Sequence, residues 1–410
     1  MWLDHSLLKL MTVPPAITIP PLDAAQREQL AATTAALQTL IAVRGGWLPF
    51  DEYLQQVLYA PGLGYYSAGA AKFGAAGDFV TAPEISPLFG ACIARQCAPL
   101  LVAGAEVLEL GAGSGALAAA LLASLARLEA LPQRYYILEV SADLRERQRA
   151  QIATLPDALR ARVHWLEALP ARPLRGVVLA NEVADALPFQ CFAVTAGEAR
   201  GRAGHGYLER GVAVGVGGAL CWEQRPAGAA LARELQRLSD SLAAPFAPGF
   251  QSELCMRLNP WIAGLSAALE SGMILLFDYG LGRGELYHPQ RDSGTLRCHY
   301  RHRAHDDPFL YPGLQDISAW VDFTRLAEAA SDAGLEVAGY CTQAAFLLGS
   351  GVELELAEAP DAGARARLAA QARELLMPGE MGETFKVMAL TRAVDAALAG
   401  FTHQDLRRLL

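Results

Sequence analysis

Three glycines at alternate positions, Gly111, Gly113 and Gly115, follow the apolar run VLEL and precede the Ala- and Leu-rich run ALAAALLA. Glycines between a strand and a helix let the backbone approach a ligand closely and turn tightly into the helix. Such a loop alone is compatible with a dinucleotide, a nucleoside or a plain β–α turn. Glu109, two residues before the first glycine, narrows the choice. A carboxylate there is unfavourable beside a pyrophosphate, whereas a sulfonium nucleoside carries no phosphate and ends in a cationic amino-acid group. Acid plus glycines therefore favour S-adenosyl-L-methionine as the ligand, with S-adenosyl-L-homocysteine as the product.

Two further sets of residues fall at matching places. Glu139 ends the run YYILEV, where a carboxylate would accept hydrogen bonds from both ribose hydroxyls, a placement that NAD folds share. The run VVLANEVADALPF sets Asn181, Glu182 and Asp185 just past an apolar strand, where open α/β sheets bind ligands. An amide beside a carboxylate, followed by Pro188, resembles the arrangement with which methyltransferases hold a nitrogen nucleophile. For arginine, a carboxylate can pair with the guanidinium, aim its nitrogen and offset its charge. Glu182, Asn181 and Asp185 are the catalytic candidates, and Asn181 is also a candidate cofactor contact. A solvated loop capped by Asn and Asp is the alternative.

These positions need a parallel sheet behind them. From residue 105 short apolar runs alternate with helical segments: AEVLEL, 116–128, RYYILEV, 142–155, RVHWL and GVVLANE. That alternation predicts a mostly parallel, seven-stranded Rossmann-like sheet covered on both faces. After Phe189 the pattern breaks into antiparallel strands at 189–194, 206–214 and 219–223, then helices at 227–242 and 260–269. We read residues of about 195–270 as an inserted lobe. The core resumes with SGMILLFDYG and ends with a helix at 322–333, a strand at 335–340, a helix at 364–376 and a strand at 385–391. Residues 1–100 read as a helical cap, with helices at 24–43 and 50–58 and a glycine-rich, aromatic loop at 61–89; residues 101–410 form the core.

Composition narrows the partners. A hydrophobic share of 52% with 19% charged residues describes a compact chain, not a disordered one. The net charge of −9 comes without a basic run that could track a phosphate backbone, so nucleic acid is not expected and a cationic acceptor is suited. Seven cysteines without a CxxC pair indicate neither a zinc site nor a disulfide framework, and no metal is expected. The prolines at 14, 15, 20 and 21 and the scarcity of positive charge argue against a signal or transit peptide, and no apolar run reaches the roughly 20 residues of a membrane span. The expected compartment is the cytoplasm.

The segments GYYSAG, GDFVTAPEISPLFG, LEVS, NEVADALPF, LFDYG and PGLQDISAWVDF, in this order across residues of about 45–390, resemble the MidA-like family of methyltransferases. That family includes a mitochondrial protein arginine methyltransferase needed for assembly of respiratory complex I. The resemblance implies that Gly77, Asp78, Phe79 and Thr81 form part of a lid over the cofactor. It also implies that Glu109, Gly111, Gly113, Gly115 and Glu139 hold the cofactor, that Asn181 and Glu182 face the acceptor, and that Asp278 and Tyr279 lie near the same rim. The expected activity is methylation of an arginine nitrogen in a protein, with a respiratory-complex subunit as one option for that protein and a homodimer as one option for the enzyme. Trp320 stands where a polar residue would be expected in relatives. The histidines at 299, 302 and 305 are interleaved with Arg301 and Arg303, which would repel a metal. A small-molecule acceptor, a non-catalytic assembly factor and an NAD-dependent oxidoreductase are the competing functions.

Overall fold

The computed structural model describes residues 19–67, 80–199 and 202–410. Its largest sheet contains β2 (Glu106–Leu110), β3 (Arg134–Leu138), β4 (Val163–Leu166), β5 (Leu174–Asn181), β10 (Leu269–Leu281), β15 (Glu336–Thr342) and β16 (Phe385–Arg392). They lie in the order β15-β16-β10-β5-β2-β3-β4, and a short strand β14 (Val321–Asp322) pairs with β10 as an eighth member. The links from β4 through β10 are parallel, and β16 alone runs against its neighbours. After β2 the chain builds outward through β3 and β4, then returns to build the other way from β5. The carboxyl ends of β2 and β5 therefore flank the point at which the order reverses, where such sheets open a crevice.

Alternation along these strands explains the two apolar layers. Val107, Val177 and Leu275 point into a core with the helices Pro87–Cys97 and Ala116–Arg127. Their neighbours Leu108, Val178 and Ile274 point into another with Leu258–Ala267 and Phe323–Asp332. Since successive side chains face opposite sides of a sheet, a central strand covered on both faces reads as an unbroken apolar run.

A second, antiparallel sheet joins β1 (Trp47–Pro49), β6 (Gln190–Ala199), β7 (Arg202–Val214), β8 (Leu220–Pro226) and β9 (Gln251–Leu254). Here β1, from the segment before residue 100, pairs with β7, Trp47 opposite Ala213. A third sheet is formed by β11 (Arg297–Tyr300), β12 (Arg303–His305) and β13 (Asp316–Ser318). The histidine-rich segment is thus a hairpin. Its two turn residues, Arg301 and His302, both have positive φ, 45° and 59°, as a tight two-residue hairpin turn requires.

The loop expected at 61–89 ends earlier. Residues Ala82–Ile85 form a short helix, and Pro87–Cys97 is helical from residue 87. The reason is local: Ser86 caps the second helix by accepting from the Leu88 amide at 3.3 Å, and Pro87 presets the first helical φ. No described helix is long and apolar enough to cross a membrane.

Candidate active site

A cavity of about 370 Å³ opens over the carboxyl ends of β2, β3 and β5. On the β2 side, Gly111, Gly113 and Gly115 have φ of 58°, 52° and 88°, a region that side chains rarely adopt. A Cβ on Gly115 would also stand 3.2 Å from the Gln148 backbone. Gln148, fully buried on the helix Ala142–Ile152, ties this loop together. Its amide donates to the Gly113 carbonyl at 3.1 Å and to Glu139 at 3.0 Å, while its oxygen accepts from the Trp165 indole at 3.0 Å.

The two carboxylates at this end are both buried. Glu109 accepts a 2.7 Å bond from the Tyr135 hydroxyl. Burial pushes its pKa up to about 7 against that bond, and the Glu139 charge adds to the rise. A cationic group beside it would favour the ionised form again. Glu139 accepts from the Ser141 amide at 2.8 Å and from Gln148, which fixes its carboxylate at the end of β3. Each carboxylate oxygen can accept more than one hydrogen bond, so this anchoring leaves capacity for a ribose diol.

The other end of the cavity is acidic. Glu182 ends the crossing from β5 with φ of 54°, a strained value for a non-glycine residue. Its carboxylate accepts from the Asn181 amide at 3.1 Å and the Tyr279 hydroxyl at 3.3 Å. Burial, then the Asp185 charge, raises its pKa to about 8 against those two bonds, with Asp316 adding to the rise. Asp185 is held well above the ordinary carboxylate range by burial and then by Asp278 and Asp316. The side-chain oxygen of Asn181 is buried with no hydrogen-bond partner among the described residues, an acceptor awaiting a donor.

Asp278 stands behind the wall. Its carboxylate accepts from the amides of Ala184 at 2.9 Å, Asp185 at 3.3 Å and Tyr279 at 2.9 Å, so it shapes the loop that presents Glu182 and Asp185. Asp316 closes the cavity from β13 and accepts from the Tyr66 hydroxyl at 2.7 Å. Tyr59, whose hydroxyl donates to the Ala186 carbonyl at 2.7 Å, lies beside Tyr66.

Of the residues singled out in the sequence, Thr81, Glu109, Gly111, Gly113, Glu139, Asn181, Glu182 and Asp185 line this cavity, as does Tyr279. Gly115 starts the adjoining helix, and Gly77, Asp78 and Phe79 lie outside the described residues. Sequence reasoning missed Tyr59, Tyr66, Asp316 and the buttress Gln148, and left His299 open among loop roles; the structure puts His299 in the wall, opposite Asp316 across β11 and β13. The Tyr pair in GYYSAG and the Asp of LQDIS were signals within reach, since polar groups in otherwise apolar stretches mark buried polar sites. Among the described residues no cluster of three or more His, Cys, Asp or Glu is arranged to hold a metal.

A Rossmann-like sheet with a glycine turn after one strand, an acid after the next and an Asn–Glu pair after β5 defines an α/β methyltransferase. The chain belongs to a family of S-adenosyl-L-methionine-dependent methyltransferases, whose model matches residues 92–341. It is 43% identical to a Burkholderia thailandensis protein crystallised with S-adenosyl-homocysteine, at a TM-score of 0.88 over 96% of this chain and 100% of that one. A native structure from the same organism gives 42% identity and a TM-score of 0.85 over 96% and 100% of the two chains. The mitochondrial protein arginine methyltransferase NDUFAF7 of Danio rerio is 27% identical, covering 88% of this chain and 90% of the relative. Its Mus musculus counterpart is 28% identical over 84% and 81%. The protein is a methyltransferase, its cofactor is S-adenosyl-L-methionine, and the MidA-like resemblance holds. The preformed cavity fits that cofactor: it has a glycine turn for close approach and a buried carboxylate at each of two strand ends.

Proposed function

We propose that the enzyme methylates a guanidinium nitrogen of an arginine in a protein. The observation that carries this reading is the acidic end of the cavity, where Glu182, Asp185 and Asp316 converge and the charges of Asp185 and Asp316 add to burial in raising the Glu182 pKa. Carboxylates crowded this way are relieved by a cation, and a guanidinium offers both charge and a planar set of donors. The names of the relatives, protein arginine methyltransferases, point the same way.

In this reading Gly111, Gly113 and Gly115 admit the cofactor, Glu109 faces its ammonium group, Glu139 takes the ribose hydroxyls and Thr81 borders it. S-adenosyl-L-methionine supplies an electrophilic methyl group and leaves as S-adenosyl-L-homocysteine. Asn181 and Glu182 hold the acceptor, the unpartnered Asn181 oxygen taking one guanidinium N–H. The guanidinium gives up a proton as its nitrogen gains the methyl. Glu182, ionised by the incoming cation yet kept basic by burial, is placed to receive that proton. Asp185 and Asp316 offset the acceptor's charge, and Tyr66 and Asp278 act as positioning residues. We further propose a respiratory-complex subunit as the acceptor, a homodimer as the working form and the cytoplasm as the compartment.

The test is transfer of labelled methyl from S-adenosyl-L-methionine into a lysate of the source organism, split into protein and small-molecule fractions, with Glu182→Gln as control. Label in a protein band that the variant does not produce supports the reading. Label confined to small molecules moves the acceptor to a metabolite, and no label despite measured cofactor binding leaves a non-catalytic assembly factor.

A further inference from the structure

The chain has a second cavity, of about 340 Å³, whose character is opposite to the first. Its walls carry Arg210 from β7, Trp222 from β8, Glu253 from β9, and Arg291, Arg297 and Trp320 from the segments around β11 and β13. We propose that this cavity is a carboxylate-binding subsite that takes an acidic residue of the acceptor protein lying a few residues from the methylated arginine. The proposal rests on the protein-arginine reading for its acceptor, but not for the existence of the anion site.

The arginines are arranged as a receptor. The Arg210 guanidinium lies over the Trp222 ring at 4.2 Å and that of Arg291 over the Trp320 ring at 5.0 Å. A stacked guanidinium is held flat while its in-plane N–H donors remain directed outward, a fork that matches a carboxylate. The Nε of Arg210 is buried without a hydrogen-bond partner among the described residues, a donor whose burial is costly until an acceptor arrives. This also gives Trp320 a role, as a platform for Arg291.

The acidic groups of the wall do not cancel this charge. Asp306 is engaged in an ion pair with Arg297. Glu253 accepts from the Thr295 amide at 2.8 Å and the Thr295 hydroxyl at 3.1 Å, and burial pushes its pKa up. The wall thus carries three arginines, Arg210, Arg291 and Arg297, against two carboxylates, Glu253 and Asp306, and keeps an excess of positive charge.

The two cavities are joined through β11 and β13. Arg297 sits opposite Ser318, and His299 opposite Asp316, so all four lie on one face of the small sheet. His299, Asp316 and Ser318 line the first cavity and Arg297 the second. A two-residue step along a strand is about 7 Å. An acidic recess and a basic recess on one wall suit a substrate that presents a cation and, a short distance along its chain, a carboxylate.

The experiment is calorimetric titration of the S-adenosyl-L-homocysteine-loaded protein with N-acetyl-glutamate methylamide, its glutamine counterpart and free acetate. The glutamate probe should saturate and bind about tenfold tighter than either of the others, and Arg210→Gln and Arg291→Gln should each weaken it about tenfold, as expected for loss of a charged hydrogen bond. Arg291 lies outside the regular strands, so its variant keeps the test valid if Arg210→Gln fails to fold, a failure that loss of S-adenosyl-L-homocysteine binding would reveal. No saturable binding, or binding unaffected in a folded variant, overturns the site. Acetate binding as tightly as the blocked glutamate would assign the cavity to small carboxylates and also overturn the proposal. With the labelled protein acceptor, the loss in Arg291→Gln should fall on KM; an unchanged KM would break the link to the acceptor. The titration reads no methyl transfer, so failure of the arginine reading and failure of the anion site remain distinguishable.

Discussion

Replacing Glu182 by Gln should stabilise the enzyme while stopping it, and the gain should depend on pH. In the native chain this carboxyl has a pKa near 8 instead of the ordinary 4.5, chiefly because it is buried and faces Asp185. Below pH 4.5 it is protonated in both folded and unfolded chains, so its contribution to stability is fully present. As pH rises, the unfolded chain releases the proton first, and the folded state loses that contribution until it too ionises near pH 8. A tenfold change in proton affinity is about 1.4 kcal/mol, so the ceiling on the loss is about 5 kcal/mol at pH 8. Gln has no proton to release, but it can satisfy Asn181 and Tyr279 less completely, at a cost of about 1 kcal/mol. The net gain should be about 2–4 kcal/mol at pH 8 and absent at pH 4.5. With an unfolding entropy of about 2.1 cal/mol/K per residue, that raises Tm by about 2–5 °C. Scanning calorimetry of wild type and variant between pH 4.5 and 8.5 reads the gap directly. A gap that does not widen with pH, or a variant less stable at pH 8, would refute the claim that Glu182 is a buried carboxyl held for function at the expense of stability.

Gly113→Val should abolish S-adenosyl-L-homocysteine binding in calorimetry, since it puts a branched side chain at φ of 52° in the cavity wall; undiminished affinity would remove the loop from the cofactor site. Gln148→Ala should weaken the same ligand about tenfold by freeing the Gly113 carbonyl and Glu139 together, each having lost one bond of about 1 kcal/mol. Tyr66→Phe, which strips Asp316 of its hydroxyl donor, should raise KM for the protein acceptor several-fold while leaving S-adenosyl-L-homocysteine affinity unchanged. Equal losses in cofactor and acceptor binding would place Asp316 elsewhere in the site. Glu182→Gln should lower kcat by about 10²–10⁴, the usual contribution of a positioned proton acceptor, and steady-state assays at saturating cofactor measure it.

The cofactor half of the site was legible because its residues are local. A strand, its glycine turn and the following helix are contiguous, and the near-continuous apolar run that marks a strand covered on both faces survives in VLEL, YYIL and VVLA. The acceptor half is assembled by topology. Tyr66 comes from before the core, Asp316 from β13, and their meeting depends on contacts 250 residues apart in the chain. Gln148 was hidden for another reason: its helix, ADLRERQRAQI, is so polar that a buried amide in it looks like one more surface residue. The pairing of β1 with β7 likewise has no local signature, because WLP is too short to show a period. His299 and Arg301 sit two residues apart in one run of interleaved His and Arg, whereas the hairpin turn separates the wall-lining residue from the positively charged tip.

The most direct measurement of the central claim is amino-acid analysis of the labelled protein after complete acid hydrolysis. Label recovered as methylated arginine, and lost with Glu182→Gln, is what the acidic acceptor cavity predicts. Label recovered on any other residue would contradict the guanidinium reading of Glu182, Asp185 and Asp316.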